Sequence, residues 1–117
     1  MKKDFDINGP NIGTADDEDT PWKVKFTGKA RKQKEQLPPD MKAALLHLKK
    51  ELEWEGPIQS EWANYGKLKG KKNIYHCHLT HSHDSCVVVW KVTDKKVQLM
   101  EIRYVGTHEN ANYRRIS

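Results

Sequence analysis

The sequence has few of the features that mark a secreted or membrane protein. Its two cysteines, Cys77 and Cys86, are too few for a disulfide framework. Its longest apolar run, Cys86–Trp90, is far shorter than the ~20 residues that a membrane-spanning helix needs. The first residues, Met1–Asp6, lack the apolar stretch of a signal peptide. We therefore expect a protein of the reducing cytoplasm that has no membrane partner.

Length and charge limit the class further. A chain of 117 residues supports one domain with one modest core. Residues 1–21 hold two lysines against six acidic residues, a net charge of −4, and their low apolar content predicts a disordered acidic tail. Because the whole chain carries +5, residues 22–117 carry +9 and form the predicted folded domain. A basic domain of this kind attracts polyanions without reading their sequence.

The first half of the domain shows one strand and two helices. Trp22–Phe26 alternates apolar and charged residues, as a half-buried strand does. Thr27 can cap a short polar helix that begins near Gly28. After Pro38-Pro39 a longer helix, which Gly56-Pro57 ends, places four apolar residues on one face: Met41, Leu45, Leu48 and Leu52.

The second half predicts a strand meander. Residues 58–72 have the composition of an irregular connection, with Trp62 and Tyr65 as packing anchors. Three strands follow, at about Asn73–Thr80, Ser85–Thr93 and Lys96–Val105, and the short polar turns between them predict antiparallel pairing. The expected fold is a two-layer α+β sandwich with the order β-α-α-β-β-β, an antiparallel sheet, and both helices packed on one face.

Histidines are the residues best suited to chemistry. In a strand, His76 and His78 share one face while Cys77 and its alternate neighbours point to the other, so we expect both imidazoles on the face opposite the helices. His108 and Tyr113 follow the last predicted strand and are the other catalytic candidates. The candidate RNA-binding cations are Lys67, Lys69, Lys71, Lys72 and Arg103.

These residue types match the needs of RNA cleavage by the 2′-hydroxyl. That reaction requires a base for the hydroxyl, positive charge for the phosphorane and an acid for the departing 5′-oxygen. A histidine pKa of ~6.5 populates both protonation states near neutrality. Lysine and arginine supply the charge, and Tyr113 could stack on a base or orient a proton donor.

A zinc site is the competing interpretation of the same histidines. His76-x-His78 and His81-x-His83, with Asp84 nearby, offer enough ligands for zinc. Cys77, however, points away from its flanking histidines, and polar residues are expected in the predicted turn His81–Asp84. We therefore expect a site without metal and without a cofactor.

Five segments resemble the RelE superfamily of bacterial toxins, most closely its YafQ-like and HigB-like members. The segments are Trp22–Thr27, Lys67-Leu-Lys-Gly70, Tyr75–Leu79, Val87–Val92 and Val105-Gly-Thr-His108, and the resemblance spans residues 22–113. It implies the toxin of a type II toxin-antitoxin module. Such a toxin is a ribosome-dependent mRNA endonuclease that cuts mRNA in the ribosomal A site and inhibits translation. A cognate antitoxin protein holds it inactive.

The resemblance also implies residue roles. His108 matches the catalytic histidine that follows the last strand, and Tyr113 matches the aromatic residue that acts with the codon bases. His78 matches a family histidine on the strand after the KLxG loop, with His76 where RelE itself has a lysine. Cys86 replaces an arginine of RelE, so phosphate stabilisation would have to come from Arg103 or from the lysines of residues 67–72.

Two alternatives on the same scaffold stay open, because a scaffold does not settle function. One is a gyrase-inhibiting toxin of the ParE type, and the other is a non-enzymatic module that binds nucleic acid or protein. ParE-like chains generally lack the histidine-rich strand and the terminal His-Tyr pair. The expected function is therefore that of an endoribonuclease.

Overall fold

The structure, a computed structural model, describes residues 20–79, 86–107 and 111. In these residues the chain forms two helices and five strands in the order β1 Lys23–Phe26, α1 Gly28–Glu35, α2 Pro39–Glu55, β2 Ala63–Lys67, β3 Ile74–His78, β4 Cys86–Asp94 and β5 Leu99–Thr107. The strands make one sheet in the order β1-β5-β4-β3-β2. No helix in this described part is both long and apolar enough to cross a membrane.

Both helices begin and end as the sequence predicts. The Thr27 hydroxyl caps α1 by accepting a 3.1 Å hydrogen bond from the backbone N–H of Ala30. Pro39 opens α2, where a missing N–H costs nothing. That helix ends at Gly56, which has φ +94° and donates its N–H to Leu52 O at 3.0 Å. The positive φ is a conformation that glycine adopts without steric cost.

The main core lies between the helices and one face of the sheet. Leu45, Leu48 and Leu52 of α2 are buried against Trp90 at the centre of β4. The indole N–H of Trp90 donates to Pro57 O at 3.2 Å, so its polar atom is satisfied. Trp62 and Tyr65 pack against this cluster, which confirms both as packing anchors. The predicted two-layer α+β sandwich is confirmed.

The other sheet face, called the open face below, also carries apolar residues. Ile74, Val87, Val89 and Tyr104 form a second buried cluster there, and Leu68 and Ala111 pack against it. Val87 and Val89 are fully buried. The central part of the face opposite the helices is therefore apolar and buried.

The sheet differs from the predicted meander in two respects. The connection predicted as irregular contains β2, an edge strand paired with β3. Its pattern was not recognised because Asn64 has φ +54° and the register shifts between Ala63 and Gly66, which breaks the period of two. In addition, β1 pairs with β5 in parallel, so the sheet is mixed and not wholly antiparallel. Alternation along one strand carries no information about the direction of its partner.

The last strand also begins later than predicted, at Leu99. Its start is set by the preceding turn, where the Asp94 carboxylate accepts the N–H groups of Lys96 and Val97 at 2.9 and 3.2 Å. Aspartate side chains favour such turns because they bond to the backbone two residues on. The strand then runs to Thr107, two residues beyond its predicted end.

Candidate functional site

His76 and His78 lie together on the open face, as predicted. In the β3–β4 and β4–β5 registers, His78 is opposite Val87, and Val87 is opposite Gly106. Residues directly opposite each other share a face, and neighbouring strands are ~4.8 Å apart. The Cα atoms of His78 and Gly106 are therefore about 10 Å apart by this spacing. His78 and the end of β5 thus occupy the same end of the sheet.

His108 and Tyr113 lie outside the described residues, as do His81, His83 and Asp84 of the zinc alternative. The catalytic roles of His108 and Tyr113 stay predictions. The structure does describe Thr107, the residue that directly precedes His108, and it pairs with Cys86 at the end of the sheet where His78 lies.

Asn64 is a partner of His78 that sequence reasoning missed. Its side-chain N–H donates to Nδ1 of His78 at 3.3 Å. Asn64 was not predicted as a partner of His78 because β2, the strand that brings it beside β3, was not predicted.

The predicted RNA-binding lysines do not gather around His78. Lys67 is opposite Tyr75 in the register and so shares the face that the helices cover. The lysine loop, defined here as Lys69, Lys71 and Lys72, precedes Ile74, where β3 begins. At ~3.3 Å per residue, the start of β3 is about 13 Å from His78.

A β-bulge decides where the side chains of β5 point. The register pairs Val89 with Tyr104 but Trp90 with Ile102, so Arg103 is an extra residue in β5. Ile102 belongs to the main core and Tyr104 to the open-face cluster. Simple alternation along β5 would place Tyr104 on the side of Ile102, and the bulge puts it on the opposite face.

Arg103 lies on the open face with Glu101. Its Nε and Nη2 atoms donate to Glu101 Oε1 at 3.2 and 2.9 Å, so its positive charge is partly neutralised. Lys91 is opposite Glu101 in the register and adds a cation to this face. Sequence reasoning did not single out Lys91, although its alternation with Val87 and Val89 could have placed it there.

A cleft of about 940 Å³ lies between α1 and the end of β5. Lys29, Lys32 and Gln33 line it from the helix, and Gly106 and Thr107 line it from the sheet. This α1–β5 cleft places positive charge beside the chain position from which His108 follows. The lysines of α1 had no distinguishing signal in the sequence, because a charged short helix usually indicates only a solvated surface.

A second cleft, of about 680 Å³, borders His78 on the side of α2 and is acidic. Glu51, Glu55 and Glu61 line it together with His47. Glu51 holds both His47 Nε2 at 2.8 Å and the indole N–H of Trp62 at 2.7 Å. The carboxylates of this cleft repel a phosphate, so a polyanion would approach His78 from the open face.

Both cysteines are buried thiols. Cys77 packs with the main core, and burial raises its pKa to about 12. Burial also raises the pKa of Cys86. Neither thiol ionises near neutral pH, which makes each a poor nucleophile and a poor metal ligand. Among the described residues, no three histidine, cysteine or acidic side chains are grouped to hold a metal ion.

The fold is that of RelE toxins. No protein-family model matches the chain, and no curated protein matches it by sequence. Three solved structures do match. A mutant of the E. coli toxin RelE in the free state has a TM-score of 0.62 at 20% identity and covers 79% of this chain and 87% of its own.

The other two structures agree with it. The archaeal RelE–RelB complex from Pyrococcus horikoshii OT3 gives a TM-score of 0.62 at 22% identity, covering 78% of this chain and 99% of that one. The isolated E. coli RelE toxin gives 0.57 at 24% identity, covering 79% and 89%. Identities this low establish a shared fold, and function has to be argued from the site.

Proposed function

We propose that this protein is the toxin of a toxin-antitoxin module and that it is an endoribonuclease. It cleaves mRNA by attack of the 2′-hydroxyl, with histidines as acid and base, in the A site of the ribosome. The observation that carries the proposal is the row His78–Val87–Gly106, which puts an imidazole at the end of the sheet where β5 leads into His108. The RelE-like fold supports it.

The proposed roles follow from position and chemistry. His108 and His78 exchange protons with the 2′-hydroxyl and the 5′-oxygen, and His76 stands beside His78 on the same face. Tyr113 acts on a base. The α1–β5 cleft supplies cations beside the chain position of His108, and the Asn64 amide fixes the ring of His78.

The remaining cations are assigned to more distant phosphates. The lysine loop lies at the other end of β3, so it would hold mRNA phosphates outside the scissile one. Arg103 and Lys91 lie between the two ends on the open face. No cofactor enters this scheme, and we place the protein in the cytoplasm.

A cognate antitoxin is the proposed protein partner. One of the matching structures is an archaeal RelE–RelB complex, in which a protein of this fold is bound to a partner protein. A short antitoxin-like reading frame beside the gene, and release of toxicity when that frame is deleted, would support the assignment. A chain whose toxicity is unaffected by any neighbouring frame would contradict it.

Expression of His108→Ala beside the wild type tests the enzymatic assignment. The wild type should arrest translation and leave cleaved mRNA, while the variant should be harmless to growth. Equal toxicity of the two proteins would refute the role of His108. Arrested cells that hold intact mRNA and show blocked DNA supercoiling would favour a gyrase-inhibiting toxin instead.

His78→Ala and His47→Ala form a matched pair for the second histidine. Both residues border the acidic cleft, but His47 is an exposed side chain of α2 paired with Glu51. Loss of a positioned proton-transfer group typically lowers kcat about 10²- to 10⁴-fold. We expect that loss for His78→Ala and an unchanged kcat for His47→Ala. Similar kcat values for the two variants would show that His78 has no catalytic role.

A further inference from the structure

Two side chains bond to the backbone at the end of β5: Tyr104 on the open face and Gln33 at the edge that β1 leaves unpaired. We propose that Tyr104 and Gln33 are positioning residues that fix the backbone at Thr107, and thereby the direction in which the chain presents His108. Gly106 leaves room for this arrangement. The inference rests on the proposed function for its catalytic consequence, but the positioning itself can be measured without any activity.

Tyr104 holds the strand end from the open face. Its hydroxyl donates to Thr107 O at 2.8 Å, so the ring lies along its own strand over Gly106. The ring is 5% exposed and packs with Ile74, Val87 and Val89. The β-bulge at Arg103 is what turns Tyr104 to this face. A buried ring in a packed cluster is a rigid support for the hydrogen bond that it makes.

Gly106 is required by the Tyr104 ring. A Cβ atom at position 106 would lie 2.6 Å from the Tyr104 hydroxyl oxygen and 2.9 Å from Cζ. Both distances are shorter than a normal van der Waals contact, so a side chain there would require the ring or the strand end to shift. The Val-Gly-Thr sequence before His108 therefore has a local physical reason.

Gln33 bonds to the same strand end at the edge of β5 that faces β1 and α1. The strand β1 pairs with β5 only as far as Ile102, opposite Phe26. Beyond that point the backbone N–H of Val105 donates to Oε1 of Gln33 at 2.9 Å. A side chain of α1 thus replaces the missing strand partner, and it satisfies a donor that would otherwise be costly to bury.

Together these bonds act on geometry and not on charge. Positioned groups contribute to rate by holding a near-attack arrangement, and a displacement of about 1 Å can cost about 10²-fold. Loss of the Tyr104 bond should therefore lower kcat and leave KM unchanged, because the substitution removes no charge from the α1–β5 cleft. A residue that served only stability would lower the fraction of folded enzyme and would leave kcat per folded molecule unchanged.

Tyr104→Phe tests the inference with Tyr65→Phe as the matched control. Each variant removes one tyrosine hydroxyl: that of Tyr104 bonds to Thr107 O, and that of Tyr65 lies on the helix side near the backbone of Gln59. We expect kcat for mRNA cleavage to fall at least 10-fold in Tyr104→Phe, with KM unchanged, and to stay at the wild-type value in Tyr65→Phe. Equal kcat values in all three proteins would overturn the inference.

Two substitutions of Gln33 provide a rescue test. Gln33→Glu keeps an oxygen acceptor for the Val105 N–H, whereas Gln33→Met keeps the length of the side chain and removes the acceptor. We expect Gln33→Met to lower kcat and Gln33→Glu to retain most of it. A loss of equal size in both variants would show that the hydrogen bond is not what matters at this position.

Amide hydrogen exchange separates this inference from the proposed function. The amide of Gly106, which pairs with Val87 in the sheet, should exchange faster in Tyr104→Phe than in the wild type and in Tyr65→Phe, at equal global stability. If the wild type shows no nuclease activity, the proposed function fails, and the exchange data alone still decide whether Tyr104 fixes the strand end. Unchanged exchange at Gly106 would contradict the positioning role of Tyr104.

Discussion

Cys77 and its two histidine neighbours lie on opposite faces of β3. It lies between His76 and His78 in the sequence, yet its side chain is fully buried on the helix side while the histidines lie on the open face. The period of two in a strand sends the side chains of adjacent residues to opposite faces. Cysteine and histidine therefore do not combine into one site in β3.

The raised pKa of Cys77 predicts a loss of stability in alkali. The unfolded thiol ionises near its ordinary pKa of 9.0, whereas the folded thiol resists ionisation up to about 12. Because the folded pKa is raised, this contribution to stability is complete below pH 9 and is lost as the pH rises towards 12. The slope approaches about 1.4 kcal/mol per pH unit in that window.

The measurement is the free energy of unfolding by urea at pH 8, 9 and 10 for the wild type and Cys77→Ala. The variant should be less stable at pH 8, because it leaves a small cavity. Its stability should then fall less steeply with pH than that of the wild type. Parallel curves for the two proteins would contradict the burial of an un-ionised thiol at this position.

At the scale of the element, the end of α2 depends on one glycine. A Cβ atom at Gly56 would lie 3.0 Å from Nε1 of Trp22, and the φ of +94° strains any residue with a side chain. We expect Gly56→Ala to destabilise the protein by about 1 kcal/mol or more. A thermal melt of the variant beside the wild type measures this.

Gly28→Ala is the control for that substitution. Gly28 opens α1, has no atom within 4 Å of a Cβ position and has no positive φ. Alanine is the better helix former, by up to about 1 kcal/mol inside a helix, so this variant should be as stable as the wild type or more so. Equal destabilisation by both substitutions would show that the Trp22 contact and the φ of Gly56 are not the cause.

The lysine loop is the other element with a distinct expected effect. It precedes the start of β3, which is about 13 Å from His78 by strand geometry, so under the proposed function its charges would bind substrate and transition state alike. Lys69→Gln with Lys72→Gln should raise KM and leave kcat unchanged. For single-stranded RNA, the log–log slope of affinity against salt should become shallower by ~0.7 for each phosphate that the variant no longer neutralises.

Lys42→Gln with Lys50→Gln removes the same charge from α2, on the helix side of the sheet. This control should leave KM near the wild-type value, because a purely long-range effect of net charge is screened at physiological salt. If the two double variants raise KM equally, the loop has no local contact with RNA.

For the whole molecule, charge is divided between the N-terminal leader and the rest of the chain. Residues 1–19 carry −4, and the remainder carries +9. Thr20 is nevertheless buried, and its hydroxyl donates to Trp22 O at 2.7 Å. A truncation that tests the leader should therefore keep Thr20.

Deletion of residues 1–19 should speed the association of the protein with RNA at low salt. The reason is the rise in net charge from +5 to +9, which strengthens long-range attraction of a polyanion. Stopped-flow association rates at ~0.01 M and ~0.15 M salt measure the effect, which screening should largely remove at the higher value. A leader without electrostatic influence would leave the rate unchanged at both salt concentrations.

The local sequence pattern determined the helix boundaries and the face of β3 on which the histidines lie. The caps and breakers Thr27, Pro38-Pro39 and Gly56 set both helices, and alternation put His76 and His78 on the face opposite the helices. These features depend on residues within one or two turns of each other, so a sequence displays them directly.

Tertiary structure alone decided which parts of the chain meet. Register between distant segments sets three features: the parallel pairing of β1 with β5, the edge strand that brings Asn64 to His78, and the bulge that turns Tyr104 to the open face. The same register put the lysine loop at the far end of β3 from His78 and placed the α1 lysines beside Thr107. A period of two fixes a face but neither a partner nor a direction, and these are chosen only when the whole core packs.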